Sequence, residues 1–378
     1  MRGASSVTLA AFAARALADS HTLYAGFFAG TTLVRLEFDD STNALTLVEN
    51  ITAPNKSGQK WIALDLMSDV QSRKQNLYVA TTGYFQGYTI GDDLSLTYTN
   101  NVSLSSDCSN ANYVTASSVS PYTVFGTPYS TGCSSLAISV DDSGALQSVM
   151  ANATYESGSG VHGSDVSPDG DFFYSADDMG NGVWVHAVDE TAGTVEEIQH
   201  LDADDGSDPR HLAVHPNGNW VYVVYEAASS IAVYSRDNST GMLTFTNTTY
   251  SLLPDGFTNS SSYWADEVIV SSKNSTSPKY LYAATRSRTT DIPGYVSAFS
   301  LDADTGAITE QLFLLPTTNS GGSSNSVGPS GFSEEYFTIP DSGSNFLEVW
   351  KMADDASSAA AVAHIDLENG PANAVWYN

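Results

Sequence analysis

The sequence predicts an all-β protein: a seven-bladed β-propeller of four-stranded blades, closed into a ring by the C-terminal strand joining the first blade. Three observations carry this expectation. Seven acidic turns, each following a run rich in β-forming residues, recur at roughly 40–60 residue intervals. Three of the repeats align strand for strand. The two chain ends each hold part of one further repeat, so a closed ring leaves no sheet edge unpaired.

The turns read FDDSTNA (38–44), IGDDLS (90–95), VDDSGA (140–145), VDETAGT (188–194), SRDNSTGM (235–242), LDADTGA (301–307) and MADDASS (352–358). Asp, Asn and Gly favour such hairpin connections because they cap local backbone donors or tolerate left-handed backbone. The opening repeat has strands LYAGFF (23–28), TTLVRLEFD (31–39) and ALTLVENIT (44–52) but no first strand. ANAVWYN (372–378) is expected to supply it, and the last repeat is expected over about 325–367. The aligned repeats start at His162, Arg210 and Asp266. Each has a first strand, a turn (SPDG, HPNG or SSKNSTSPK), a second strand with a Tyr, a third strand and the acidic hairpin.

Length alone allows two or three domains, but the repeats run almost end to end without a Pro/Gly/Ser linker, so residues 19–378 read as one domain. The 14 Lys and Arg stand against 43 Asp and Glu, a net charge of −29, which argues against nucleic acid or an anionic membrane surface as partner. Most of the acid reads as turn chemistry and solubility.

Residues 1–18 resemble a secretory signal peptide, with an apolar stretch interrupted by Arg15 and Ala16–Ala18 before a cleavage point near Asp19. Asn-X-Ser/Thr sequons at Asn50, Asn55, Asn101, Asn152, Asn238, Asn247, Asn259 and Asn274 suit a secreted glycoprotein. Cys108 and Cys133 are then expected to pair within the third repeat.

Comparing repeats picks out the site. In a propeller the first strand of each blade lines the central channel, and its start lies on the same face as the exit of the second strand. His162, Arg210 and Asp266 stand four residues before Val166, Val214 and Val270. Asp178, Glu226 and Arg286 stand four residues after Tyr174, Tyr222 and Tyr282, where the looser repeats have Phe28 and Thr82. The Tyr and the Pro-Asx-Gly turn keep their type, whereas these positions change from blade to blade, as ligand-reading positions would. Two Arg, a His and a Glu at a channel mouth point to an anionic organic substrate, because guanidinium groups pair with carboxylates and His and Glu exchange protons. A local cationic pocket is expected to draw carboxylates in despite the global charge.

Other chemistries lack their signatures. There is no phosphate-binding Gly-rich loop and no G-x-S-x-G elbow. His211 and His215 lie in a strand pattern rather than at zinc spacing on a helix, so no metal is expected. DADDGSD (202–208) lacks the twelfth-position Glu of a calcium loop.

The segments GVHGSDVSPDG (160–170), DPRHLAVHPNGNWVYVVYE (208–226), YLYAATR (280–286), GYVSAFSLDADTGAITEQLFLLPTTNSGG (294–322) and NAVWYN (373–378) resemble the lactonase-type seven-bladed propellers, and among them the fungal 3-carboxy-cis,cis-muconate lactonizing enzymes. The resemblance covers most of the chain after about residue 20 and is strongest from 160 onward. It places that family's active-site His, Arg, Glu and Arg on His162, Arg210, Glu226 and Arg286. It implies an isomerase that closes a lactone in a tricarboxylate diene without metal or cofactor. Two alternatives remain open at this point: a lactone hydrolase resembling 6-phosphogluconolactonase, and a secreted propeller that binds without catalysis. The family's familiar members act inside the cell, so the secretory features put the physiological substrate in question.

Overall fold

The computed structural model describes residues 20–55, 57–65, 75–257, 260–324 and 326–377. Residues 1–18 and the Asn259 sequon lie outside the described residues. Seven four-stranded antiparallel sheets follow one another around the ring. The closing strand Pro371–Tyr377 pairs with Ser20–Phe27, so blade one is built from both chain ends. The seven acidic turns all fall between the third and fourth strands of their blades. In each, one Asp caps backbone N–H groups of the turn, as with Asp39 and Ser41, or Asp237 and Ser239.

The core is divided among the joints between blades, because a sheet that alternates side chains to its two faces must bury both. Tyr174, Val183 and Val185 of blade four pack on Leu212, Val223 and Ala232 of blade five. Leu23, Leu36 and Trp376 of blade one pack on Leu347 and Val349 of blade seven, which seals the ring.

The repeated tyrosine of the second strand has a structural reason. Tyr24, Tyr78 and Tyr174 are buried and donate to the carbonyls of Leu94, Gly144 and Gly241, each in the acidic turn of the next blade, at 2.6, 2.8 and 2.8 Å. Tyr222 donates likewise to Gly306, and Tyr282 to Glu334. Cys108 and Cys133 form a disulfide beside blade three. The sequons at Asn50, Asn101, Asn152, Asn238, Asn247 and Asn274 are exposed. Asn55 is half-buried, and its side-chain amide donates to Ser57 and Thr81. Among the described residues, no helix is long and apolar enough to cross a membrane.

Candidate active site

Six innermost strands carry a bulge at the same place. The register skips one residue between Gln59 and Trp61, Ala111 and Tyr113, Val161 and Gly163, Pro209 and His211, Ala265 and Glu267, and Pro371 and Asn373. The extra residues are Lys60, Asn112, His162, Arg210, Asp266 and Ala372. A bulge re-aims its side chain out of the pleat. Here it gathers one residue from each of six blades into a ring at the channel mouth. His162, Arg210 and Asp266 are the positions singled out by comparing repeats. Lys60 and Asn112 obey the same spacing, four residues before Leu64 and Ala116, but their blades lack the turn motif that aligned the others.

Arg210, Glu226, Asp266 and Arg286 meet in one buried network. Glu226 takes Arg210 on one oxygen (2.6 Å) and Arg286 on the other (3.2 Å). Asp266 Oδ1 lies 3.1 Å from both Arg210 Nη2 and Arg286 Nε. Arg210 Nε also donates to the Asp266 carbonyl at 3.3 Å, and Arg286 Nη1 to Ser323 O at 2.9 Å. Arg286 and Arg288 both lie over the Trp264 ring, 4.7 and 4.1 Å from its centre. Burial works against the Arg210 charge, but Glu226 and Asp266 outweigh it and raise its pKa. For Arg286, burial and the neighbouring Arg210 outweigh the same carboxylates, and its pKa falls. Both remain charged, since arginine does not deprotonate in proteins.

The expected cationic pocket is thus corrected: two guanidinium groups are matched by two carboxylates. Asp266 is the fourth corner of the network, although the family pattern does not place an active-site residue there. Each guanidinium has five N–H donors and spends only part of them on these contacts, which leaves donors for a ligand.

His162 joins the network from blade four. Its ring stands 4.7 Å from that of Tyr129, whose hydroxyl donates to Asp178. The Asn112 amide nitrogen lies 3.1 Å from the His162 carbonyl and 3.2 and 3.3 Å from its ring nitrogens. Burial, then Arg210, His211 and Arg286, hold the His162 pKa well below its usual value, so the imidazole is neutral. Asp178 is pushed the other way, up to about 6, by burial and by Glu226. Its position is set by Asp177, which accepts from Gly160 N and Gly180 N at 2.8 Å and from Trp184 Nε1 at 2.9 Å. Half-buried Lys60 donates to Asn110 at 2.5 Å, and Asn110 in turn holds the Tyr129 carbonyl at 2.8 Å. All four sequence-predicted residues, together with Asp178 and Asp266, are therefore brought to one mouth. Among the described residues, no group of His, Cys, Asp and Glu is arranged to hold a metal ion.

A family model described as Lactonase, 7-bladed beta-propeller matches residues 22–321. The carboxy-cis,cis-muconate cyclase of Neurospora crassa is 29% identical to this chain, over 91% of it and 95% of that protein. Muconate cycloisomerase 1 of Cutaneotrichosporon cutaneum is 32% identical over 60% of this chain and 62% of that one. Among solved structures, a periplasmic gluconolactonase of Pseudomonas aeruginosa has a TM-score of 0.78 at 16% identity, covering 95% of this chain and 99% of that one. At that identity the likeness concerns the fold alone.

Proposed function

The chain belongs to the lactonase family of seven-bladed β-propellers, and from that premise we propose that it closes a lactone within an unsaturated polycarboxylate, as in the conversion of 3-carboxy-cis,cis-muconate to 3-carboxymuconolactone. The observation that carries this reading is the convergence of Arg210, Arg286, Glu226 and His162 on one channel mouth, with Lys60 on the same ring. The long relationship to the Neurospora cyclase supports the direction of the reaction.

The spare donors of Arg210 and Arg286 hold two substrate carboxylates, and Lys60 takes the third. Glu226 and Asp266 fix the guanidinium planes before substrate arrives, so the site does not reorganise during reaction. One bound carboxylate oxygen then forms a C–O bond to a diene carbon. The displaced π pair passes to the neighbouring carbon, which takes up a proton. Holding the two ends in contact supplies much of the acceleration, because the attack is intramolecular and its geometry is set by binding. The step is redox-neutral and its atoms balance without a cofactor.

The test follows diene absorbance on adding 3-carboxy-cis,cis-muconate to the wild-type protein. Loss of the band with one lactone formed per substrate is expected. Arg210→Lys keeps the charge but loses the fork, and is expected to lower kcat/KM on the order of 10²-fold. An unchanged band with wild type overturns the reading. Acid release from a gluconolactone would then mark a lactone hydrolase, and inactivity on both substrates a binding propeller. The disulfide and the exposed sequons support a secreted glycoprotein, which expression with and without a glycosidase treatment checks.

A further inference from the structure

Lactonization must deliver one proton to carbon, and the ring holds unequal candidates for it. Glu226 has both oxygens committed to Arg210 and Arg286. Asp178 is engaged by Tyr129 at the rim. His162 alone has a buried chain of partners behind it. Its Nδ1 lies 3.0 Å from Nε2 of His211, and Nδ1 of His211 lies 3.2 Å from Oε1 of Glu267. The three residues are 7%, 1% and 3% exposed, so water does not compete for these contacts.

The bulges explain how the chain is built. His211 and Glu267 each follow the bulged residue of their strand, Arg210 and Asp266, and therefore turn away from the ring into the channel below it. The Trp61 and Tyr113 rings, which follow the bulges at Lys60 and Asn112, pack on the His211 ring, each with centroids 4.9 Å away. The matching position of blade four is Gly163, where a Cβ would stand 2.4 Å from the His211 ring. The missing side chain is what lets His211 slide beneath His162.

A carboxylate only accepts, so a neutral His211 donates to Glu267 from Nδ1 and accepts at Nε2. His162 then donates from Nδ1 and leaves Nε2 as the acceptor, 3.3 Å from the Asn112 amide nitrogen. We propose that His211 and Glu267 are positioning residues that fix His162 as the Nδ1–H tautomer and steady it while its Nε2 carries the proton that lactonization places on carbon. This rests on the lactonizing reading above.

In the free protein His162 is neutral, held so by burial and by the charges of Arg210 and Arg286. A bound tricarboxylate offsets the repulsion from the two guanidinium groups, so substrate brings the proton to Nε2. The other charged groups around the chain are Asp178 and Glu226 at the rim and, further along the channel, Asp165, paired with Lys273 at 2.8 Å. In the step itself the carboxylate oxygen bonds to one diene carbon, the π pair moves to the next, and that carbon takes the proton from Nε2. The imidazolium returns to neutral imidazole and is recharged from solvent. Glu267, one ring away, balances the positive charge while it lasts.

Nitrogen NMR of the imidazole rings tests the chain, with His162→Asn and His211→Asn used for assignment. Both rings are expected to be neutral and protonated at Nδ1, and propane-1,2,3-tricarboxylate is expected to move His162 toward imidazolium. Glu267→Gln is expected to weaken the His162 tautomer preference and lower kcat on the order of 10²-fold with KM nearly unchanged. It should also displace the acid limb of the pH profile, and Glu267→Asp should recover part of the rate. An Nε2–H tautomer at His162 overturns the proposal, as does a Glu267→Gln protein with unaltered tautomers and kcat. If that variant does not fold, the wild-type tautomers decide. Wild type with both Nδ1 protons but no diene turnover supports the hydrogen-bond chain and overturns the lactonizing reading instead.

Discussion

His162 shows how one side chain links stability to function. Its folded pKa lies well below the ordinary value, so between the two values the unfolded chain binds a proton that the native state does not. Stability from this group is complete above about pH 6.5 and is lost as pH falls below it. Thermal melts are expected to show a falling Tm from pH 7 to pH 5, with a shallower slope in His162→Asn; equal slopes would contradict the assignment. The residue positions were legible because a ring of repeats lets unlike residues stand out at like places. What the sequence hid was pairing. Two arginines read as a cationic pocket until Glu226 and Asp266 are seen to neutralise them, and that contact joins residues 56 and 60 positions apart. His211 drew notice only as a poor zinc ligand, because nothing local shows that the Gly163 gap admits its ring under His162.

At the scale of the element, the bulge and the tyrosine divide the work. In six innermost strands the bulge aims one residue at the mouth and the next into the channel, so a pair such as Arg210–His211 contributes to two tiers. No pattern of residue types marks the bulge, and the pleat alone would send neighbours to opposite faces. The tyrosines were visible as a constant feature, and the structure supplies their cause: each ties its blade to the next. Tyr222→Phe removes the hydroxyl that caps the Gly306 carbonyl in a fully buried joint. Chemical denaturation is expected to show a loss of about 1–2 kcal/mol with activity retained. A loss no larger than that of an exposed tyrosine would count against the staple. The sequence marks the acidic runs as turns, since an Asx turn is written within a few residues, and the structure adds that their aspartates cap the turn.

For the whole molecule, closure matters most. The strand Pro371–Tyr377 completes blade one, and its side chains reach both neighbours. Asn373 bonds Ile62 N and O of blade two at 3.1 and 2.9 Å, and Trp376 donates to Gly328 O of blade seven at 3.0 Å. Removing residues 371–378 would open a sheet edge and two apolar joints at once, so loss of the cooperative melting transition is expected; a truncated chain that melts like the intact one would contradict this role. The seven-fold count, the closing strand and the compass of the site were all readable from periodic turns, because repetition encodes topology. The substrate was not, because it depends on how several blades' side chains converge. A crystal structure with propane-1,2,3-tricarboxylate therefore decides whether the channel mouth holds such a substrate. One molecule is expected at the channel mouth, its carboxylates on Arg210, Arg286 and Lys60, with His162 Nε2 facing its carbon chain. A mouth that stays empty at saturating ligand, or a ligand held elsewhere on the propeller, would contradict it.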